Sequence, residues 1–195
     1  ASSTLYQGPI QLNNTTTIRA RLTAQGKSPG PVISKTFTQL SADLNDFTSN
    51  LPIILLDNFG SGGVTTGTVL DPMHFAMLEP DTATGVTSLN QAPTVAHRGG
   101  FKRRGSSTIN DPKGNYRVEF WDEEDRDTSV ELLGLSNHAD WVLFAPYRFD
   151  RSLVRIPFIH RLSNNIGLYA SKSRLVEVFL NDDDLTFERS DYVGV

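Results

Sequence analysis

The stretch Ala96-His97-Arg98-Gly99-Gly100-Phe101-Lys102-Arg103-Arg104-Gly105-Ser106-Ser107-Thr108, leading into Tyr116-Arg117-Val118-Glu119-Phe120, decides how this chain folds. The second segment alternates. Tyr116, Val118 and Phe120 share one side of an extended strand, and Arg117 and Glu119 the other, which is the period of a half-buried β-strand. The first segment puts four cations in seven residues (Arg98, Lys102, Arg103, Arg104), with Gly99, Gly100 and Gly105 beside them and Ser106 and Ser107 following. Forked guanidinium donors next to backbone that lacks Cβ atoms suit a phosphate group. A solvated basic strand and turn, balanced by the acids from Asp122 to Asp127, explains the same residues, and composition alone favours it. Arg117 and Glu119 are either a surface ion pair of little value or part of a cleft lining.

Downstream, Trp121 to Asp125 reads as an acidic turn, either cation-holding or simply solvated. Leu132-Leu133-Gly134-Leu135 is a turn, and Asp140-Trp141-Val142-Leu143 is expected as a buried strand. Asp150 then suits a helix N-cap. The helix expected over Ser152 to Asn165 carries apolar residues at 153, 156, 159, 162 and 166, and Gly167 closes it. Pro157 inside that pattern either kinks the helix or marks its first residue. Leu175 to Leu180 is another strand, Asn181 to Asp184 its turn, and Tyr192 to Val195 begins one more.

Upstream, Thr15 to Leu22 and Val32 to Phe37 are β-branched strands about the turn Gln25 to Pro31. Residues 38–50 are polar and read as a linker or a short helix near Ala42 to Phe47. Leu51 to Asp57 is a continuous apolar run, hence a buried strand. Asn58 to Gly67 is glycine-rich but fits neither phosphate-binding glycine motif, so it reads either as a phosphate cradle or as a mobile loop. Met73 to Pro80 is a strand and Asp81 to Gly85 its turn. The pattern is α+β: a β-meander whose first helix comes only after Asp150.

The totals narrow the chemistry. A net charge of −4 argues against a general nucleic-acid binder. The absence of cysteine excludes disulfides, thiolate zinc and a cysteine nucleophile. No apolar run reaches the roughly 18 residues of a membrane span. The histidines, His74, His97, His138 and His160, lack metal-ligand spacing and read as structural or surface residues. No GxSxG elbow is present. The start, Ala-Ser-Ser-Thr, is not a leader, so any signal peptide is expected upstream or already removed. Asn13 and Asn14 begin overlapping glycosylation sequons, meaningful only in a eukaryotic secretory setting.

Two resemblances sharpen this picture. Leu5-Tyr6, Gly8-Pro9-Ile10, Thr15 to Arg21 and Gly26-Lys27-Ser28-Pro29 resemble the last half of the immunoglobulin-like module at the C-terminus of chitobiases and hexosaminidases. Arg104-Gly105-Ser106-Ser107, Tyr116-Arg117-Val118-Glu119-Phe120, Leu132 to Leu135, Asp140 to Leu143, Ser152-Leu153-Val154-Arg155 and Val176 to Asn181, in that order, resemble the CotH family. These are spore-coat and secreted proteins, with an atypical protein-kinase fold in the members that phosphorylate coat proteins. The likeness runs from about Leu51 to Val195. It implies a partial β-sandwich segment at 1–37, a linker at 38–50, and the β-rich first part of an atypical kinase-like domain at 51–195 with one main helix near 152–166.

The resemblance further implies ATP and magnesium as cofactors and phosphorylation of coat or cell-surface proteins outside the cell. Arg104 and Lys113 would contact phosphates, with Ser106, Ser107 and Arg117 nearby, and Glu119 or Arg155 would complete an ion-pair network. No metal ligand or catalytic residue is assigned; the metal-binding aspartates are expected beyond Val195, so this stretch alone is expected to be inactive. Both ends are expected to fall inside modules, as in a proteolytic product or the ordered window of a longer chain, whose flanking segments would be further partners. The chain departs from the family pattern: one residue is missing from the Arg104-Gly105-Ser106-Ser107 motif, Gly114 and Asn115 stand where a lysine and a serine are usual, and Ile156 where an asparagine is common. They keep open a non-catalytic structural, adhesion or coat-assembly role for the same scaffold. A carbohydrate-associated surface protein is a third reading, resting on the first module alone.

Overall fold

Alternating and continuous apolar runs become strands where the chain needs them to close a sheet. The computed structural model describes residues 3–195, so the first two residues of the expected 1–37 module lie outside the described residues. In chain order the strands are β1 (Thr16–Ala20), β2 (Ile33–Phe37), β3 (Thr48–Ser49), β4 (Ile53–Asp57), β5 (Asp71–Leu78), β6 (Thr87–Ser88), β7 (Val95–Arg104), β8 (Asn115–Phe120) and β9 (Asp140–Leu143). The helix α1 (Arg155–Asn165) follows, then β10 (Glu177–Asn181) and β11 (Tyr192–Gly194). Seven strands form one sheet in the order β11-β10-β4-β5-β7-β8-β9. The run β4-β5-β7-β8-β9 is the expected meander. The chain then crosses back through α1 and lays β10 parallel to β4. Among the described residues no helix is long and apolar enough to cross a membrane.

The period of two sorts side chains onto the faces of this sheet. Ile54, Leu56, Phe75, Met77, Phe101, Tyr116, Val118 and Phe120 cluster on the first face. Phe75 and Phe120 meet edge to face, ring centroids 5.0 Å apart. Ile53, Leu55, Ala76, Leu78 and Phe179 fill the second face with Leu44, Leu89 and Phe187. Leu44 comes from residues 38–50, where a 3₁₀ turn (Ala42–Leu44) buries it completely.

Two expectations need correction. Asp140–Leu143 is not a buried strand. It forms the sheet edge, paired only with β8, and Val142 is 48% exposed. The helix begins at Arg155 rather than Ser152. Asp150 still serves its start, because its Oδ2 accepts the Arg155 N–H at 2.7 Å while Oδ1 accepts the Ser152 N–H. Pro157 therefore neither kinks the helix nor opens it. It is the third helical residue, where a missing N–H breaks no intrahelical bond. Gly167, at φ +83°, closes the helix as expected. The Leu168 N–H reaches the Ser163 carbonyl and the Gly167 N–H the Asn164 carbonyl, the paired bonds of a Schellman end. The apolar stripe of α1 buries no residue; Ile159 is 54% and Ile166 67% exposed.

Gly99 and Gly100 are strand residues, not a flexible cradle. A Cβ on Gly99 would stand 2.2 Å from the Glu119 carbonyl oxygen, and one on Gly100 would strike the Trp121 ring. The residues are glycine because β8 and Trp121 lie against β7.

On the second face a polar row crosses four strands. The register sets Asn181 opposite Asp57, Asp57 opposite His74, and His74 opposite Arg98. Asp57 is fully buried and accepts the Phe59 N–H at 2.6 Å. Burial raises its carboxyl to about 6; the Phe59 N–H pulls the other way, and Asp184 and Asp191 add repulsion. Burial lowers the His74 imidazole to about 4. Because its folded value is raised, Asp57 contributes stability that is fully present below its unfolded value and lost as pH rises through about 6. Asp57→Asn removes that dependence and leaves His74 in place. Thermal melts of both proteins from mildly acidic to neutral pH should show the wild type gaining on the variant as pH falls. Parallel curves would show that Asp57 does not titrate in this window.

Candidate functional site

A cavity of about 930 Å³ lies between the first face of the sheet and the crossover that carries α1. Its volume falls within the range of small-molecule sites, roughly 300–1,000 Å³. The floor is apolar, with Ile54, Met77, Val118 and Val178 from four strands. Ile156, Pro157 and His160 of α1 form the opposite wall.

Three cations line this cavity: Lys113, Lys172 and Arg174. Lys113 stands in the turn before β8, where its Nζ donates to the Val195 carbonyl beside β11. Burial pulls the Lys113 ammonium below the usual lysine value, and Glu177 opposes that shift. Glu177 accepts from the Ser49 hydroxyl at 3.0 Å and from the Tyr192 phenol at 2.5 Å. Burial and the Glu177 carboxylate together push that phenol up to about 12.

Of the seven residues singled out from the sequence, Lys113 alone lines the cavity. Arg104, Arg117 and Glu119 point from β7 and β8 to the other face, as the alternation with Phe101, Tyr116 and Val118 requires. There Arg117 bonds Glu119 at 2.5 Å and Asp140 at 2.7 Å, and the Trp121 indole donates to Glu119 at 2.8 Å. This is a half-exposed network of the kind that orders a sheet surface. Ser106 and Ser107 are exposed in the loop after β7, where Arg148 holds the Ser107 carbonyl. Arg155 is exposed at the start of α1, its Nε 3.9 Å from Asp150.

The basic block also divides. Arg98 pairs with Asp125 at 2.5 Å, Lys102 donates to the Gly67 carbonyl, and Arg103, on the first face, donates to the Asp111 carbonyl. The four cations do not converge. Sequence reasoning missed Ser171-Lys172-Ser173-Arg174, which does reach the cavity. The signal was present: two cations alternating with two hydroxyls directly after a helix stop.

ATP fits this cavity by size, apolar floor and cationic rim. Magnesium does not fit these residues: among the described residues no three His, Cys, Asp or Glu side chains stand together as a metal site.

Residues 101–195 match the family described as CotH kinase protein, and residues 1–37 match the family described as Fn3 associated. No curated protein and no solved structure matches the chain. The family match begins at Phe101, inside β7, although β4 and β5 complete the same sheet. Residues 101–195 are thus similar to the CotH family, and the β1–β2 hairpin ahead of them lies in the stretch that matches the Fn3-associated family.

Proposed function

We propose that this chain forms the sheet-bearing part of a secreted CotH-type protein kinase that phosphorylates coat or cell-surface proteins with ATP and magnesium. In this reading residues 1–37 are the end of an immunoglobulin-like module and residues 51–195 the kinase-like part. The observation that carries the reading is that Lys113, Lys172 and Arg174 all line one apolar-floored cavity, in a chain of which residues 101–195 match a kinase family. A flat base suits the Ile54, Met77, Val118 and Val178 floor, and the three cations suit a polyphosphate. Phosphoryl transfer is mostly positioning and charge neutralisation, which is what such a rim supplies. An arriving phosphate would favour the charged form of Lys113 that burial disfavours. No step is assigned to magnesium.

A second reading has its own observation. Two of the departures from the family pattern, Gly114 and Ile156, line this cavity. A Cβ on Gly114 would stand 2.8 Å from the Tyr116 hydroxyl and 3.2 Å from the Arg103 Nε, so the usual lysine has no room. A scaffold that keeps the sheet for assembly or adhesion and has lost catalysis accounts for both.

Incubating the full-length protein with labelled ATP, magnesium and candidate coat proteins separates the two. The kinase reading expects label on protein, and Lys113→Met should reduce the rate about 10²–10³-fold, as loss of one charge-stabilising donor does elsewhere. No transfer together with no nucleotide binding would sink it and leave the scaffold reading.

A further inference from the structure

A second cavity, of about 390 Å³, lies where the β1–β2 hairpin meets the second face of the sheet, away from the kinase-like cavity. It opens over the His74–Arg98 end of the polar row. We infer that it binds a small acidic ligand of about monosaccharide size, a carboxylate or phosphate carried on a polar carbon skeleton.

The lining is donor-rich. Two guanidinium groups face it, Arg19 from the hairpin and Arg98 from β7. Among the described residues, no carboxylate lines it. The acids that hold these arginines stand outside: Glu123 takes Arg19 Nη2 at 3.2 Å, and Asp125 takes Arg98 Nη2 at 2.5 Å. Each guanidinium carries five N–H donors in a fixed fork. The Arg19 contacts run through Nη2 and those of Arg98 through its two Nη atoms, so both keep donors for a ligand. Thr17 and Thr36 add hydroxyls, bonded to each other at 2.8 Å. In a protein of net charge −4, a pocket with two arginines and no acid selects for an anion.

The other wall is apolar. Phe59 and Pro72 line it and suit the carbon side of a sugar. Phe59 sits at φ +60°, a left-handed conformation costly for a bulky residue, with its N–H fixed on Asp57. The cavity is thus built jointly. Glu123 locks the hairpin over it, accepting the Ser34 hydroxyl at 2.6 Å and the Ser34 N–H at 3.1 Å. A ligand bridging Arg19 and Arg98 would tie the Fn3-associated hairpin to the sheet.

Calorimetric titration of the chain with glucuronate, glucose 6-phosphate, inorganic phosphate and neutral glucose, at matched ionic strength, tests this. Saturable binding of glucuronate or glucose 6-phosphate, with glucose silent, is expected; which of the two acids binds tells carboxylate from phosphate. Arg19→Gln and Arg98→Gln should each weaken that binding about tenfold or more. Arg19 is on the hairpin, so its variant decides the matter if Arg98→Gln fails to fold. Glucose binding as well as the acids, neither acid saturating, or Arg19→Gln binding like wild type would each overturn the inference.

Discussion

Phe179→Ala should remove about 3–5 kcal/mol of stability, the cost of deleting a fully buried aromatic ring. Phe179 is completely inaccessible in β10. Its ring meets Phe47 edge to face at 4.9 Å and Tyr192 at 5.2 Å, so one side chain ties β10 to β11 and to residues 38–50. β10 is also the strand that returns from α1 and pairs in parallel with β4. A cavity here cannot be filled by collapse of one neighbour, because Leu44, Leu55 and Phe187 are anchored on three other segments. Domains of this size have about 5–15 kcal/mol in total, so the variant should melt far below the wild type in urea with little change in slope. A loss under about 1 kcal/mol would mean that this side of the sheet is not packed as described.

Gly99→Ala should cost about 3 kcal/mol or more, for the opposite reason. Most strand glycines gain from a methyl group, because glycine is the weaker strand former. Here the added Cβ would fall 2.2 Å from the Glu119 carbonyl oxygen and 3.1 Å from the Met73 methyl. The obstacle is backbone of the neighbouring strand, so β7 and β8 must part. Gly62, whose Cβ would meet nothing within 4 Å, has only its φ of +89° against substitution. Chemical denaturation of Gly99→Ala and Gly62→Ala should therefore show the larger loss at Gly99. Equal effects would contradict the close approach of β8.

Much of this sheet was legible because period-two alternation and apolar runs are local signals. Ile53–Asp57, Tyr116–Phe120 and the β10 run read correctly from their own residues. Asp140–Leu143 did not, because four residues cannot say which side of a strand has a neighbour; position in the sheet decides that. The helix stripe misled in a similar way. Its spacing is helical, but the cavity intervenes between α1 and the sheet, so the stripe buries no residue.

The site was less legible. The family resemblance grouped Arg117 with Lys113, whereas strand alternation sends Arg117 to the far face. Lys172 and Arg174 alternate with Ser171 and Ser173 but match no known motif, and only the crossover brings them to the cavity that Lys113 lines. The glycines of the basic block suggested phosphate because glycine has two uses, open backbone and close packing. The sequence does not tell one from the other, whereas the 2.2 Å approach does.

The cavity under α1 as a nucleotide site is tested most directly by photoaffinity labelling of the full-length protein with an azido-ATP, followed by peptide mapping. ATP-competable label is expected on peptides containing Lys113 to Val118 or Ser171 to Val178, with loss of that label in Lys113→Met. Competable label confined to other segments, or none at all, would contradict it.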